Sequence, residues 1–228
     1  SGYDIIKFGP GISPNDIVIT ADPKNMIISL PGGGSIQIND WFYGHKSRIE
    51  EFRFADDTVW LNSDIVSNMK IVGTDEADSL NYQYVQESLD INVGDGNDTV
   101  TAGASDDTIR GGLGDDVLNG SKGKDTYWYE LGDGNDTIEE SYTQEDQLVF
   151  GSGINFSDLT ITQNGNYVEI SMPDNALLKV HNLVENYVFS DKGYTLTKEQ
   201  MLASNRAPIA LLTQIEHNKD YPVSINLT

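Results

Sequence analysis

The residues best suited to chemistry are acidic side chains that recur at a fixed spacing between Gly73 and Glu139. Steps of nine residues dominate, and two steps of eleven interrupt the series without losing its phase. The series consists of Asp78, Glu87, Asp98, Asp107, Asp116, Asp125 and Asp136. Carboxylates are hard oxygen ligands that suit a hard divalent cation such as Ca²⁺. The spacing therefore predicts a row of cation sites.

Glycines and apolar residues recur in the same phase. The clearest copy, residues 111–119, reads Gly-Gly-Leu-Gly-Asp-Asp-Val-Leu-Asn. An apolar marker follows each acid by two places, as Leu80, Leu89, Val100, Ile109, Leu118, Tyr127 and Ile138. Glycines allow a tight six-residue turn, and the other three residues form a short strand with one inward side chain. Such a nonapeptide predicts a right-handed, calcium-loaded parallel β-roll.

The repeat also predicts which acids share a side of the roll, because two repeats make one coil. Asp78, Asp98, Asp116 and Asp136 fall on side one, whereas Glu87, Asp107 and Asp125 fall on side two. The two extra residues are assigned to Ile91-Asn92 and Tyr129-Glu130. Coils stack roughly 4.8 Å apart, and two carboxylates at that distance repel by on the order of 3 kcal/mol at an effective dielectric of about 20. A bound cation reverses the sign of that interaction.

These residues resemble the RTX family, the haemolysin-type calcium-binding repeats of secreted bacterial proteins. In that family a calcium ion lies between same-side loops and takes the carbonyls of positions two and four plus the Asp of one loop. It also takes the carbonyls of positions one and three plus the Asp of the next. The resemblance implies three sites here: Gly94, Gly96 and Asp98 with Gly111, Leu113 and Asp116; Gly112, Gly114 and Asp116 with Leu131, Asp133 and Asp136; and Gly103, Ser105 and Asp107 with Gly120, Lys122 and Asp125.

A fourth implied site lacks glycine in its first loop. It pairs Thr74, Glu76 and Asp78 with Val93, Asp95 and Asp98, so the resemblance implies about three to four calcium ions. The loop 83–87 has no glycine at all, and no site is expected there. An EF-hand loop and a phosphate-binding loop are excluded, because neither spacing occurs. A glycine-rich acidic linker would not keep glycine, acid and apolar residues in phase.

The two flanks of the repeat are copies of one another. Residues 8–31 match residues 150–173 at a constant offset of 142, and residues 52–56 match residues 187–191 at an offset of 135. Alternating apolar and polar residues with glycine- and proline-rich turns predict short antiparallel strands. The flanks resemble the haemolysin-type calcium-binding-related domain, and we expect them to cap the roll at each end.

The predicted organisation is all-β. It comprises an N-terminal capping block at 1–72, the roll at 73–143, a second block at 144–204, and a linker or the start of a further β domain at 205–228. The chain resembles an interior piece of a larger protein.

The formal charge of −22 excludes nucleic acid as a natural partner. No apolar run is long enough to span a membrane, and no cysteine is present. The three histidines, His45, His181 and His217, have no spacing suited to zinc or to a nucleophile relay, so no catalysis is expected. Asp22-Pro23 is interpreted as a turn, and Trp41, Trp60 and Trp128 as packing residues.

The sequence thus predicts a non-enzymatic, calcium-triggered folding and spacer module of a large secreted or cell-surface bacterial protein, an adhesin or toxin. Its expected partners are calcium, neighbouring domains and a type I secretion machinery. Two alternatives remain open. One is a glycan- or peptide-binding module that uses exposed aromatic residues. The other is the C-terminal secretion domain of an extracellular lipase or protease.

Overall fold

The computed structural model describes residues 2–22, 24–42 and 49–203, which form twenty strands, two α-helices and two 3-10 turns. The strands are β1 (Ile5–Lys7), β2 (Val18–Ala21), β3 (Met26–Ser29), β4 (Ser35–Ile38), β5 (Glu51–Arg53), β6 (Val59–Leu61), β7 (Met69–Val72), β8 (Ser79–Asn81), β9 (Asp90–Asp95), β10 (Thr99–Thr101), β11 (Thr108–Leu113), β12 (Val117–Asn119), β13 (Thr126–Tyr129), β14 (Thr137–Glu139), β15 (Gln147–Phe150), β16 (Thr160–Asn164), β17 (Tyr167–Ser171), β18 (Leu177–His181), β19 (Asn186–Phe189) and β20 (Tyr194–Thr197). The helices are α1 (Asn62–Ser67) and α2 (Lys198–Ala203), and the 3-10 turns are Pro14–Asp16 and Phe156–Asp158.

The centre of the chain is a parallel β-roll with two walls. One wall stacks β8, β10, β12 and β14, and the other stacks β7, β9, β11, β13 and β15, all in parallel pairs. Each strand contributes one central apolar side chain to the core. The column from side one is Leu80, Val100, Leu118 and Ile138, and the column from side two is Ile71, Ile91, Ile109, Tyr127 and Leu148. The predicted all-β fold with a parallel roll is confirmed.

The register in the second repeat differs from the sequence prediction. Ile91, not Leu89, pairs with Ile109. Leu89 instead donates its N–H to Asp107 Oδ1, just as Asp107 donates to Asp125 Oδ1. Leu89 therefore holds the position assigned to Glu87, and the two extra residues precede it instead of being Ile91 and Asn92. The loop before Leu89 has no glycine, so it needs more residues to reverse the chain.

The flanking blocks extend the walls of the roll. In the C-terminal block, β16, β17 and β18 form an antiparallel meander whose last strand pairs with β14, while β19 pairs in parallel with β15 and antiparallel with β20. In the N-terminal block, β2, β3 and β4 form a meander whose first strand pairs with β7. The wall that contains β7 and β15 therefore crosses the boundaries predicted near 72 and 143 without a break, whereas the other wall crosses only the one near 143 and ends at β8.

The two blocks match strand by strand, which confirms the copy found in the sequence. The separate sheet β1-β5-β6 corresponds to β15-β19-β20, and the meander β2-β3-β4 corresponds to β16-β17-β18. Helices α1 and α2 end the two copies. Each block has its own aromatic cluster: Phe8 stacks on Phe54 in the first, and Phe150 contacts Phe189 in the second. Among the described residues, no helix is long and apolar enough to cross a membrane.

Candidate metal centres

The acids of the repeat form two ladders inside the loops. From Asp98 onwards, each carboxylate of the ladders accepts, through Oδ1, the backbone N–H of the equivalent residue one coil earlier. On side one these bonds run from Asp78 to Asp98 (2.7 Å), from Asp98 to Asp116 (2.8 Å) and from Asp116 to Asp136 (3.0 Å). On side two they run from Leu89 to Asp107 (2.7 Å), from Asp107 to Asp125 (2.8 Å) and from Asp125 to Asp146 (2.8 Å). The ladders hold each of these six carboxylates against the backbone of the preceding coil.

The second oxygen of most of these carboxylates has no hydrogen bond. Asp98, Asp116, Asp125 and Asp146 each carry a buried, unpartnered Oδ2, and each side chain is at most 1% exposed. A buried charged oxygen without a partner is costly, because it has lost its water and gained nothing. A cation between the loops would satisfy these atoms. The residues present therefore fit the predicted calcium ions.

The glycines allow the loops to stack closely enough to share a cation. A Cβ built on Gly112 (φ +89°) would strike the carbonyl oxygen of Gly94, and one on Gly114 (φ +139°) would strike that of Gly96. The carbonyls predicted as ligands are therefore held directly against the next loop. Leu113 and Asp133 carbonyls each accept one backbone N–H, from Gly96 (2.8 Å) and Gly114 (2.6 Å). A carbonyl has two lone pairs, so each keeps one for an ion.

The first two predicted sites are thus brought together on side one. Asp98 lies next to Asp116, and Asp116 next to Asp136, so Asp116 is shared by both sites. Gly111 adjoins the free oxygen of Asp116, since a Cβ there would meet Asp116 Oδ2. Leu131 lies in the loop before Asp136 with a side chain that is 43% exposed, and only its backbone carbonyl is predicted as a ligand.

The third predicted site has a different hydrogen-bond pattern. Asp107 uses both oxygens, because Gly103 N–H donates to Oδ2 (2.8 Å). The loops still stack, since a Cβ on Gly123 would meet the carbonyl of Ser105, and Lys122 N–H reaches the Gly103 carbonyl (3.4 Å). Gly120 adjoins Asp125 Oδ2, the free oxygen at this site.

The fourth predicted site lies at the start of the ladder. Asp78 turns its carboxylate into its own loop, where Oδ2 accepts from Thr74 N–H (2.6 Å) and Thr74 Oγ1 (3.0 Å). The loops themselves are in contact: Cβ atoms on Gly94, Gly96 and Gly73 would meet Thr74, Glu76 and the Val93 carbonyl. Asp95, which follows Gly94, is exposed. Asp98 supplies the free oxygen of this pair.

A three-carboxylate cluster on side two was missed by the sequence prediction. Asp125, Glu140 and Asp146 are all buried, and one ligand oxygen from each lies within 4.8 Å of the others. The Tyr127 hydroxyl donates to Glu140 Oε1 and accepts from Gly120 N–H (2.6 Å), leaving Glu140 Oε2 unpartnered. The available signal was Asp146-Gln147-Leu148, which repeats the acid-x-apolar pattern. The loop before it has no glycine, so the nonapeptide pattern does not reach it.

Burial raises the pKa of these acids, and neighbouring carboxylates raise it further. The pKa of Asp107 and of Asp125 rises to about 7, that of Asp116 and of Asp146 to about 6, and that of Asp136 to about 8. The pKa of Glu140 rises to about 8 for the same reason. In the absence of an ion, the folded loops therefore hold protons that the unfolded chain would release near pH 4.

We predict that calcium inverts the pH dependence of stability. Because the folded pKa values of Asp107 and Asp136 lie above the unfolded ones, the calcium-free fold is most stable at low pH and loses stability as pH rises towards 8. Bound calcium requires ionised ligands, so the loaded fold gains stability over the same range. Thermal melts between about pH 5 and pH 8, with chelator and with calcium, measure both slopes. Parallel slopes would contradict the prediction.

We predict that Glu140→Gln weakens one calcium site by about tenfold or more, because the charge count of the ligands tunes calcium affinity. Glutamine keeps an acceptor for the Tyr127 hydroxyl, so the packing is preserved. Glu139→Gln is the matched control, since Glu139 is half-buried outside the cluster and accepts the Tyr167 hydroxyl (2.8 Å). Native mass spectrometry at limiting calcium should show one ion fewer in the first variant alone. Equal ion counts would remove Glu140 from the site.

Stacked coils, glycine turns and buried acid ladders together define a β-roll protein whose loops are suited to hold cations. The family comparisons specify its type. The RTX calcium-binding nonapeptide repeat (4 copies) matches residues 92–127, and the haemolysin-type calcium binding protein related domain matches residues 25–64. The chain therefore carries RTX calcium-binding repeats beside a haemolysin-type calcium-binding-related domain, and it is a calcium-binding module of a kind typical of secreted bacterial proteins.

Comparisons with curated proteins and with solved structures do not narrow the identification further. No curated protein matches the sequence. The crystal structure of extracellular lipase LipA from Serratia marcescens aligns at a TM-score of 0.41 with 21% identity. The alignment covers 87% of this chain but only 34% of the lipase chain, and at this TM-score it carries no conclusion about structure or function.

The remaining predicted residues lie away from the ladders. His181 is on β18, where its Nδ1 accepts Leu183 N–H (3.4 Å) and its ring meets Tyr167 edge-on. Trp41 is only 1% exposed, and Trp60 packs edge-to-face on Phe54. Trp128 receives the Arg110 guanidinium over its ring. His45, His217, Pro23 and the segment 205–228 lie outside the described residues.

Proposed function

We propose that the chain is a calcium-triggered folding and spacer module of a large secreted or cell-surface bacterial protein such as an adhesin or toxin, with no catalysis of its own. The observation that carries this proposal is the pair of buried acid ladders with unpartnered oxygens. Such ladders suit an ion and oppose folding without one. Calcium would then act as the folding switch.

The size of the repulsion between the carboxylates favours calcium as a folding switch over calcium as an added stabiliser of a fold that already exists. Two carboxylates about 4.8 Å apart cost roughly 3 kcal/mol at an effective dielectric of 20, and each ladder stacks several of them. A folded domain is stable by only about 5–15 kcal/mol in total. The repulsion is therefore of the same size as the whole stability of the fold. A calcium-poor compartment would keep the chain loose, which suits export, and a calcium-rich exterior would fold it.

The two blocks support the spacer role. A roll of stacked coils leaves an open pair of strands at each end, and such edges invite aggregation. The C-terminal block covers β14 with β18 and extends β15 with β19, and the N-terminal block covers β7 with β2. The roll is thereby held as a short rod between two related β blocks.

Circular dichroism of the chain in chelator and over a calcium titration tests the proposal. We expect the strand signal to be largely lost in chelator near neutral pH and restored cooperatively by calcium. Magnesium is the matched control, because it demands a small octahedral shell and dehydrates reluctantly. A chelated chain with the same strand signal and the same melting temperature would refute the switch.

The two alternatives receive less support. A glycan platform on Trp41 and Trp60 would need both rings exposed, but Trp41 is buried and Trp60 packs on Phe54. A secretion domain of a lipase or protease would place the catalytic part elsewhere in the parent protein, and export by a type I machinery is compatible with either role. Neighbouring domains of the parent protein are the expected partners.

A further inference from the structure

The two blocks are copies, yet their strands do not have the same neighbours. In the C-terminal block, β15 pairs with β13 and β18 pairs with β14, so both strands rest on one coil of the roll. Their counterparts in the N-terminal block are β1 and β4. Within the described residues, each of these is the edge strand of its sheet. The surface that the second copy uses to hold a coil is thus uncovered in the first.

The apolar side chains on these strands are less buried in the N-terminal block than in the C-terminal block. We define the N-terminal face as β1 and β4 with three apolar side chains, Ile6, Ile36 and Ile38. All three are only partly buried. Their counterparts at an offset of 142, Leu148, Leu178 and Val180, are each 0% exposed. Leu148 pairs with Tyr127 and Val180 with Ile138, so it is the roll that covers them. The N-terminal face keeps the apolar residues but lacks the cover.

The acid that completes the ladder is also copied. Asp146, 1% exposed, has its counterpart in Asp4, which is exposed. Both are held alike by the backbone: the Asp146 carbonyl accepts Glu185 N–H (3.2 Å), and the Asp4 carbonyl accepts Glu50 N–H (3.1 Å). In the C-terminal block the carboxylate of Asp146 receives Asp125 N–H from the covering coil. Asp4 stands where the same bond could form.

We propose that the N-terminal face docks the open end of a second calcium-bound β-roll of the RTX type, whose last two strands pair with β1 and β4. Asp4 would then enter the acid ladder of that roll as its final member. The occupant is a roll end and not a second intact copy, because each copy has its own roll end covered by its C-terminal block. The block is therefore a two-sided connector, which goes beyond a calcium-triggered fold.

A tandem chain tests the proposal. Residues 1–144 are joined directly to residues 3–228. Gln144 is then followed by Tyr3, which is the counterpart of Glu145 at the offset of 142. The amides of Ile5 and Gln37 correspond to those of Gln147 and Lys179, which donate to Asp125 and Asp136 (2.9 Å each). In calcium, hydrogen exchange at Ile5 and Gln37 should slow by about tenfold or more in the second block only. Peptides from β1 and β4 should therefore give two equal isotopic populations, with the first block as the internal reference.

Two variants of the second block separate docking from other causes. Ile38→Lys should merge the two populations of the β1 peptide into one fast population, whereas Val18→Lys, which changes a side chain that is 55% exposed, should leave both. A single fast population in the unsubstituted tandem chain would overturn the proposal, as would protection that survives Ile38→Lys. A fast-exchanging population of β11 would also overturn it, because a docked block would close the first roll as the C-terminal block closes the second.

Discussion

Asp116→Asn is expected to destabilise the chain in calcium and to stabilise it in chelator. Asp116 belongs to two predicted sites, since its carboxylate lies between those of Asp98 and Asp136. When the free calcium concentration is a hundred times the Kd of a site, that site contributes about 2.7 kcal/mol to the free energy of unfolding. Weakening both sites therefore costs up to about 5 kcal/mol. Asparagine still accepts Asp98 N–H through Oδ1, which limits the change to the ligand and its charge.

The opposite sign in chelator follows from the raised pKa. Burial lifts the pKa of Asp116 to about 6 from its ordinary value of 3.8. Near pH 7.5 the ionised, calcium-free fold therefore carries a penalty of about 3 kcal/mol. Asparagine removes that penalty but buries an amide N–H₂ that costs about 1–2 kcal/mol. A net gain of about 1–2 kcal/mol remains.

Urea unfolding in calcium measures the loss. In chelator, where little of the strand signal remains near neutral pH, an acid titration of that signal measures the gain, because Asp116→Asn should let the calcium-free fold form at a higher pH. Asp75→Asn is the matched control, because it removes the same charge from an exposed side chain of a side-one loop that is not a predicted ligand. The control should change the free energy of unfolding by less than about 0.5 kcal/mol in either condition. A loss of stability in both conditions for Asp116→Asn would mean that the residue acts by packing and not as a ligand.

Gly114→Ala is expected to cost about 3–5 kcal/mol in calcium. The backbone of Gly114 has φ +139°, which strains any L-residue, and its Cβ would strike the carbonyl oxygen of Gly96. The neighbour is backbone, so it cannot move aside without separating the two loops. Separation would also remove the Gly96 carbonyl from its predicted site. We therefore expect weaker calcium binding together with lower stability.

Gly165→Ala is the control for backbone strain alone. Gly165 also has positive φ (+59°), but no atom lies within 4 Å of its added Cβ. Its cost should stay near 1–2 kcal/mol, with calcium binding unchanged. Calorimetric titration and thermal melts distinguish the two variants. Equal losses in both would attribute the effect at Gly114 to φ and not to loop stacking.

Much of this fold can be predicted from the sequence, because the glycine, acid and apolar patterns repeat in the same phase. The apolar column from Val100 to Ile138 and the acid column from Asp98 to Asp136 both follow from the nonapeptide alone. The phase is wrong at Glu87, because a loop without glycine changes its length and the sequence does not show on which side of the strand the extra residues lie. The strand partners of the two blocks are also hidden, since they depend on which edge meets the roll.

The candidate ligands can be predicted from the sequence only where the loop follows the nonapeptide pattern. The pairs Asp98–Asp116 and Asp116–Asp136 follow from the spacing, whereas the cluster with Glu140 and Asp146 does not, because Glu140 precedes an irregular loop. The hydrogen bond from Gly103 N–H to the second carboxylate oxygen of Asp107 could not be predicted from the sequence either. It depends on how the loop closes and not on which residues it contains.

The direction of the ladder makes each coil depend on the next one. From Asp98 onwards, each carboxylate accepts a backbone N–H of the preceding coil, so the loop of Asp98 is completed by Asp116, that of Asp116 by Asp136, and that of Asp125 by Asp146. The last of these acids belongs to the C-terminal block and not to a glycine-rich loop. A roll cut off before Asp146 would keep the loop of Asp125 but lose the carboxylate that completes it.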